Sequence, residues 1–85
     1  MKEGGDRDIM KTKVREYRRM ADMTQQELAD MVYVSSRTII SIEKGRYSPS
    51  LMLAYRMARV FGVTVEDLCL LEENRLIEDK EHGYA

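Results

Sequence analysis

One cysteine, one histidine, one proline and one phenylalanine stand among the 85 residues, and tryptophan is absent. A lone Cys69 cannot close an intramolecular disulfide. One Cys and one His also fall short of the three or four protein ligands of a zinc site. No apolar run approaches the length of a membrane span or of a signal peptide. With the unpaired cysteine, this makes a reducing cytoplasm the expected setting and excludes the membrane as a partner. There is no Gly-rich phosphate loop, no metal-ligand set and no nucleophile beside a base, and His82 stands in the last residues. The chain is expected not to be an enzyme and to need no cofactor.

What is present suits a small folded protein. Hydrophobic residues make up 44% and charged residues 34%, a balance typical of a packed domain. At this length one domain with one modest core is expected. Aromatics contribute only 7%, so the core rests on Leu, Ile, Val and seven Met, flexible side chains that fill irregular gaps. Cys69, flanked by Leu68, Leu70 and Leu71, reads as one more packing residue.

The formal net charge is -1 and argues at first against a polyanionic partner, but the charges are segregated. Residues 1–65 carry twelve Lys or Arg against eight Asp or Glu, a balance of +4, and residues 66–85 carry two against seven, a balance of -5. Binding to phosphates depends on the local field, so a basic body can meet DNA while an acidic end points away.

Residues 1–10, with Gly4 and Gly5 and no helical period, read as a flexible leader. A first helix is expected from Thr12 to Ala21, with Val14, Tyr17, Met20 and Ala21 as its apolar stripe. Thr24 and Glu27 form a capping box that opens a second helix, in which Leu28, Ala29, Met31 and Val32 face inward. Tyr33 and Val34 lead at once to Ser35, an N-cap for a third helix over Ser36 to Lys44 with Ile39 and Ile42 inward and Gly45 ending it. Ser48 or Ser50 caps a fourth helix that carries Leu51 to Phe61 and stops at Gly62, and a fifth begins near Thr64 with Val65, Leu68 and Leu71 apolar. From Glu72 the chain turns acidic, with Leu76 and Ile77 as exceptions. These boundaries divide the chain into a leader (1–10), a domain (11–71) and an acidic C-terminal tail or dimerisation extension (72–85).

Gln25, Leu28, Ala29, Val32, Val34, Ile39 and Ile42, joined by so tight a turn, resemble the helix-turn-helix of phage Cro and repressor proteins, the XRE family. The stretch Ile42 to Arg46, followed by Tyr47 to Ser50 and then Leu51, is similar to that family's exit from its recognition helix. The resemblance implies an all-α, compact five-helix, lambda-repressor-like fold whose helices 2 and 3 form the motif. Its close helix crossing requires a small residue at Ala29. The family usually places Gly where this chain has Tyr33, so Tyr33 must accept a positive φ or the turn must change shape.

The resemblance also implies a sequence-specific transcriptional regulator, a repressor by expectation, with the third helix in the major groove of double-stranded DNA and its N-terminal residues nearest the bases. Ser36, Arg37, Ile40 and Ser41 are the expected base-facing residues. Arg37 is suited to a bidentate bond with guanine, though an Arg there also fits a phosphate or an acidic neighbour. Ile40 faces either a thymine methyl or a protein cover. Gln25 is expected to clamp a phosphate, and Thr38, Lys44 and Arg46 to hold flanking ones. A homodimer on a palindromic operator follows from the family's docking geometry, with Leu70, Leu76 and Ile77 as interface or loose tail. An interaction module or antitoxin-like protein on the same fold, engaging a protein partner through the acidic tail, is the alternative.

Overall fold

The computed structural model describes residues 10–83, and the expected leader lies, apart from Met10, outside the described residues. Among the described residues there are six helices and no strand: α1 (Val14–Met20), α2 (Gln25–Met31), α3 (Ser36–Glu43), α4 (Leu51–Phe61), α5 (Val65–Cys69) and α6 (Leu71–Glu81). The five expected helices are present, and α6 follows them.

Short polar side chains start four of these helices. Thr24 Oγ1 accepts from the amide of Glu27 at 3.0 Å while Glu27 Oε1 accepts from the amide of Thr24 at 2.8 Å, so the capping box is complete. Ser35, Ser50 and Thr64 accept from the amides of Thr38, Leu53 and Asp67. Each satisfies an amide that has no partner inside its own helix, for about 1 kcal/mol.

The helix ends share a second device. After α1, α2 and α3 the chain passes through one left-handed residue, Asp22 (φ 56°), Tyr33 (φ 66°) and Gly45 (φ 75°). The next amide then turns back on the last helical turn: Met23 to Arg18 O at 3.1 Å, Val34 to Ala29 O at 3.1 Å and Arg46 to Ser41 O at 2.9 Å. This is the Schellman pattern, which satisfies carbonyls the helix leaves open. It also explains where the first helix stops. The chain leaves the helix after Met20, so Met20 stands 79% exposed and Ala21 is exposed too, where an inward stripe was expected, and Met23 packs on the core in their place. Met31, also expected inward, is 52% exposed.

The core gathers Val14, Leu28, Ala29, Ile39, Ile42, Met57, Leu68 and Cys69, all essentially without solvent contact. Tyr17 stacks on Phe61 at its edge, with ring centroids 5.9 Å apart. Burial pushes the Cys69 thiol up from its ordinary value, as fits a packing residue and not a reactive one. Ala29 has no exposed surface, so a larger side chain there would push apart α2 and α3.

The acidic end is helical because it is tied at one point and paired along its length. Asn74 Nδ2 donates to Lys11 O (2.9 Å), Cys69 O (2.7 Å) and Leu70 O (2.9 Å), and Asn74 Oδ1 accepts from the amide of Lys11 (3.0 Å). On the outer surface Arg75 bridges Glu72 at 2.6 Å and Asp79 at 2.7 Å, neighbours three and four residues away on a helix.

Candidate nucleic-acid interface

Ile39 and Ile42 fix the rotation of α3 by pointing into the core. At about 100° per residue, Arg37, Ser41 and Lys44 then fall on the opposite side, with Ile40 at its margin. Burial agrees: Arg37, Lys44 and Arg46 are exposed, and Ser36, Thr38, Ile40 and Ser41 are partly covered. Of the two settings open to Ile40, a partial protein cover is present. Thr38 is engaged at the helix start, where its amide donates to Ser35 Oγ at 3.3 Å and the two hydroxyls lie 3.3 Å apart. Gln25, on a different helix, joins the N-terminal end of α2 to the far end of α3, because its Nε2 donates to Glu43 Oε1 at 3.1 Å.

That bond belongs to a cluster the sequence did not announce. The side chain of Glu43 has 0% exposure, and Arg18 Nε donates to its Oε2 at 2.6 Å. Arg18 Nη2 reaches Oε1 at 3.2 Å, and Arg15 Nε lies 3.5 Å from the same oxygen. Arg18 Nη1 also donates to Met23 O at 2.9 Å, so one guanidinium ties α1, the α1–α2 turn and α3 together. Arg18 is only 11% exposed and structural, and Arg15 is 45% exposed at the rim. The partners stand 25 and 18 residues apart, beyond any local pattern.

Burial alone would raise the pKa of Glu43, but the hydrogen bonds from Arg18, Gln25 and Arg15 and the charge of Arg18 outweigh it and hold the carboxyl below its ordinary value. Its bond to Glu43 likewise raises Arg18 against the opposing effect of burial. The consequence for the surface is electrostatic. Glu43 is the sole acidic residue from Met31 to Val65, a stretch with five Lys or Arg. Withdrawing and neutralising that one carboxylate leaves the outer side of α3 basic, the sign a phosphate backbone attracts.

The turn that sets α2 against α3 contains Tyr33 in the left-handed conformation, 78% exposed, with Arg56 of α4 placed 5.1 Å from its ring centroid. Of the two ways foreseen to accommodate Tyr33, the chain takes the positive φ. Among the described residues there is no group of acidic, His and Cys side chains able to hold a metal ion, and no helix long and apolar enough to cross a membrane.

Comparison with known proteins agrees with this architecture. A helix-turn-helix family model matches residues 14–68. An uncharacterised HTH-type transcriptional regulator of Archaeoglobus fulgidus is 46% identical over 71 residues, 84% of this chain and 100% of that protein. The cryptic phage CTXphi transcriptional repressor RstR of Vibrio cholerae is 30% identical over 70 residues, 82% of this chain and 63% of its own. The crystal structure of the clp gene regulator ClgR from Corynebacterium glutamicum superimposes with a TM-score of 0.63 at 25% identity, covering 81% of this chain and 76% of that one. With helices 2 and 3 built as the motif requires, the chain belongs to the Cro/repressor-type (XRE) family of helix-turn-helix, DNA-binding transcriptional regulators.

Proposed function

We propose that this regulator is a repressor that binds a palindromic operator as a homodimer, with α3 in the major groove. The observation that carries the reading is the outer side of α3, where Arg37, Ser41 and Lys44 project from a helix whose one carboxylate is buried and paired. Arg37, exposed in the first turn, reads a guanine through O6 and N7, and Ser36, Ile40 and Ser41 complete the base-facing set. Gln25, Thr38, Lys44 and Arg46 hold phosphates and set register. Glu43 supports this by fixing the amide of Gln25, so that clamp is oriented before DNA arrives. RstR, a named repressor among the relatives, supports the sign of regulation.

Two subunits related by a two-fold axis would place their α3 helices about 34 Å apart on one face of the duplex. Leu71, Leu76 and Ile77 on α6 remain between 40% and 48% exposed, and this apolar surface is assigned to the subunit contact together with the partly covered Leu70. Selection of bound sequences from a random DNA pool tests both parts. A two-fold symmetric consensus is expected, and Arg37→Ala should lose preference at one position in each half-site. An unchanged consensus with Arg37→Ala would refute the readout, and an asymmetric single site would refute the dimer.

A further inference from the structure

A groove of about 460 Å³ lies at the α1–α2 corner, lined by Ala21, Asp22, Met23, Glu27, Asp30 and Met31. Its lining combines two methionines with three carboxylates and holds no Lys or Arg. Met31 is 52% exposed, and Met20, beside the turn, is 79% exposed. The rim is acidic, and none of Asp22, Glu27 and Asp30 forms an ion pair with a described residue. Glu27 is engaged by the amide of Thr24 and Asp30 by Gln26 Nε2 at 2.8 Å, neutral donors that leave both charges uncompensated. On α2 the core takes Leu28 and Ala29, and Gln25 turns to Glu43, so Glu27, Asp30 and Met31 occupy the solvent side.

We propose that this corner is a docking surface for a partner polypeptide that presents an apolar anchor flanked by Lys or Arg. Flexible methionine side chains adapt to an inserted apolar group, and the three carboxylates supply complementary charge, which favours encounter and excludes acidic partners. The same charge makes nucleic acid an unsuitable occupant. A second acidic groove, between α1 and α5–α6, is the poorer candidate. Its lining includes Glu66, Asp67 and Glu73 but also two cations, Lys13 over the Tyr17 ring and Arg75 paired with Glu72, which offset part of the acidic charge a basic partner would meet.

The test uses the full chain labelled with ¹³C at the methionine methyl groups and an amphipathic helical peptide of leucine and lysine as the probe. Saturable shifts of the Met20, Met23 and Met31 methyls are expected, while Met52, exposed on α4, stays in place. The triple substitution Asp22→Asn, Glu27→Gln and Asp30→Asn keeps the left-handed turn and the capping box within reach of the new side chains. It should weaken the peptide about tenfold and leave DNA binding equal or stronger. The proposal is overturned by unmoved methyls at the corner, by equal movement of Met52, by affinity indifferent to the triple substitution, or by peptide seated on the α5–α6 groove. Corner shifts that depend on protein concentration without peptide would assign the surface to a second copy and overturn it as well.

Discussion

Arg18 and Glu43, 25 residues apart in sequence, meet with Nε and Oε2 2.6 Å apart and join the first helix to the end of the third. The carboxylate has no solvent exposure, so its charge depends on its partners. Removing one member of such a buried pair costs about 3–5 kcal/mol, whereas replacing both by apolar groups is often neutral. Arg18→Met should therefore lower unfolding free energy by several kcal/mol, with Arg15 and Gln25 limiting the loss. The double variant Arg18→Met with Glu43→Leu should recover most of it. Urea titrations of the native chain, the single variants Arg18→Met and Glu43→Leu and the double variant check this, and additive losses would show that the two residues do not act as a pair.

The same carboxylate sets an acid limit. Its folded pKa lies below the ordinary 4.5, so the unfolded chain takes up this proton first as pH falls. The stabilisation is complete above about pH 4.5, shrinks as pH drops below that value, and is gone once pH has passed through the folded pKa. Melting temperature measured from pH 7 to pH 3 should fall more steeply for the native chain than for Glu43→Gln, which is less stable at neutral pH but has no proton to gain at this position. Parallel curves would show that Glu43 is not depressed.

Tyr33 carries a local backbone penalty in the motif's turn. A left-handed conformation costs an L-residue roughly 1–2 kcal/mol, and the Arg56 contact returns about 0.5 kcal/mol at so exposed a site. Tyr33→Gly should raise stability by up to about 1 kcal/mol, the added backbone freedom of unfolded Gly offsetting part of the gain. Tyr33→Val, branched at Cβ, should lower stability. Thermal melts that place both variants on the same side of the native chain would contradict this account.

The proposed phosphate contacts and the proposed base contact predict different responses to salt. Lys44→Ala should weaken binding to all sequences alike and reduce the slope of log K against log salt by about one unit. Arg37→Ala should alter the ranking of sequences. Fluorescence anisotropy across a salt series separates the two, and a Lys44→Ala protein with unchanged slope would remove Lys44 from the phosphate set.

What the sequence made legible was local. The Thr24–Glu27 box and the caps at Ser35, Ser50 and Thr64 join residues three apart, and the Ile39–Ile42 step fixes the rotation of α3, so the motif and its outward side could be read directly. The Glu43 cluster could not, because a charged residue looks the same in sequence whether it is solvated or buried against a distant partner. Met20 and Met31 misled because a period of three or four places a residue on a face without saying where the helix ends or what covers it. The helix of the acidic end was not legible either, since its apolar stripe is thin and it leans on one polar tie.

That tie yields the last prediction. Asn74 matches both the amide and the carbonyl of Lys11 with one side-chain amide, and also serves the carbonyls of Cys69 and Leu70 as the chain passes through Leu70 at φ 50° into α6. An apolar residue at this position leaves those groups to water, for about 1–3 kcal/mol if they stay covered. No residue of α6 is buried, so the loss should fall on α6 and on Lys11 and leave the core intact. Hydrogen exchange of Asn74→Leu should therefore show faster exchange of the α6 amides and of Lys11, with α2, α3 and α4 protected as before. Uniform loss of protection would mean that α6 and the domain open together, and that the acidic end is part of the fold and not an extension of it.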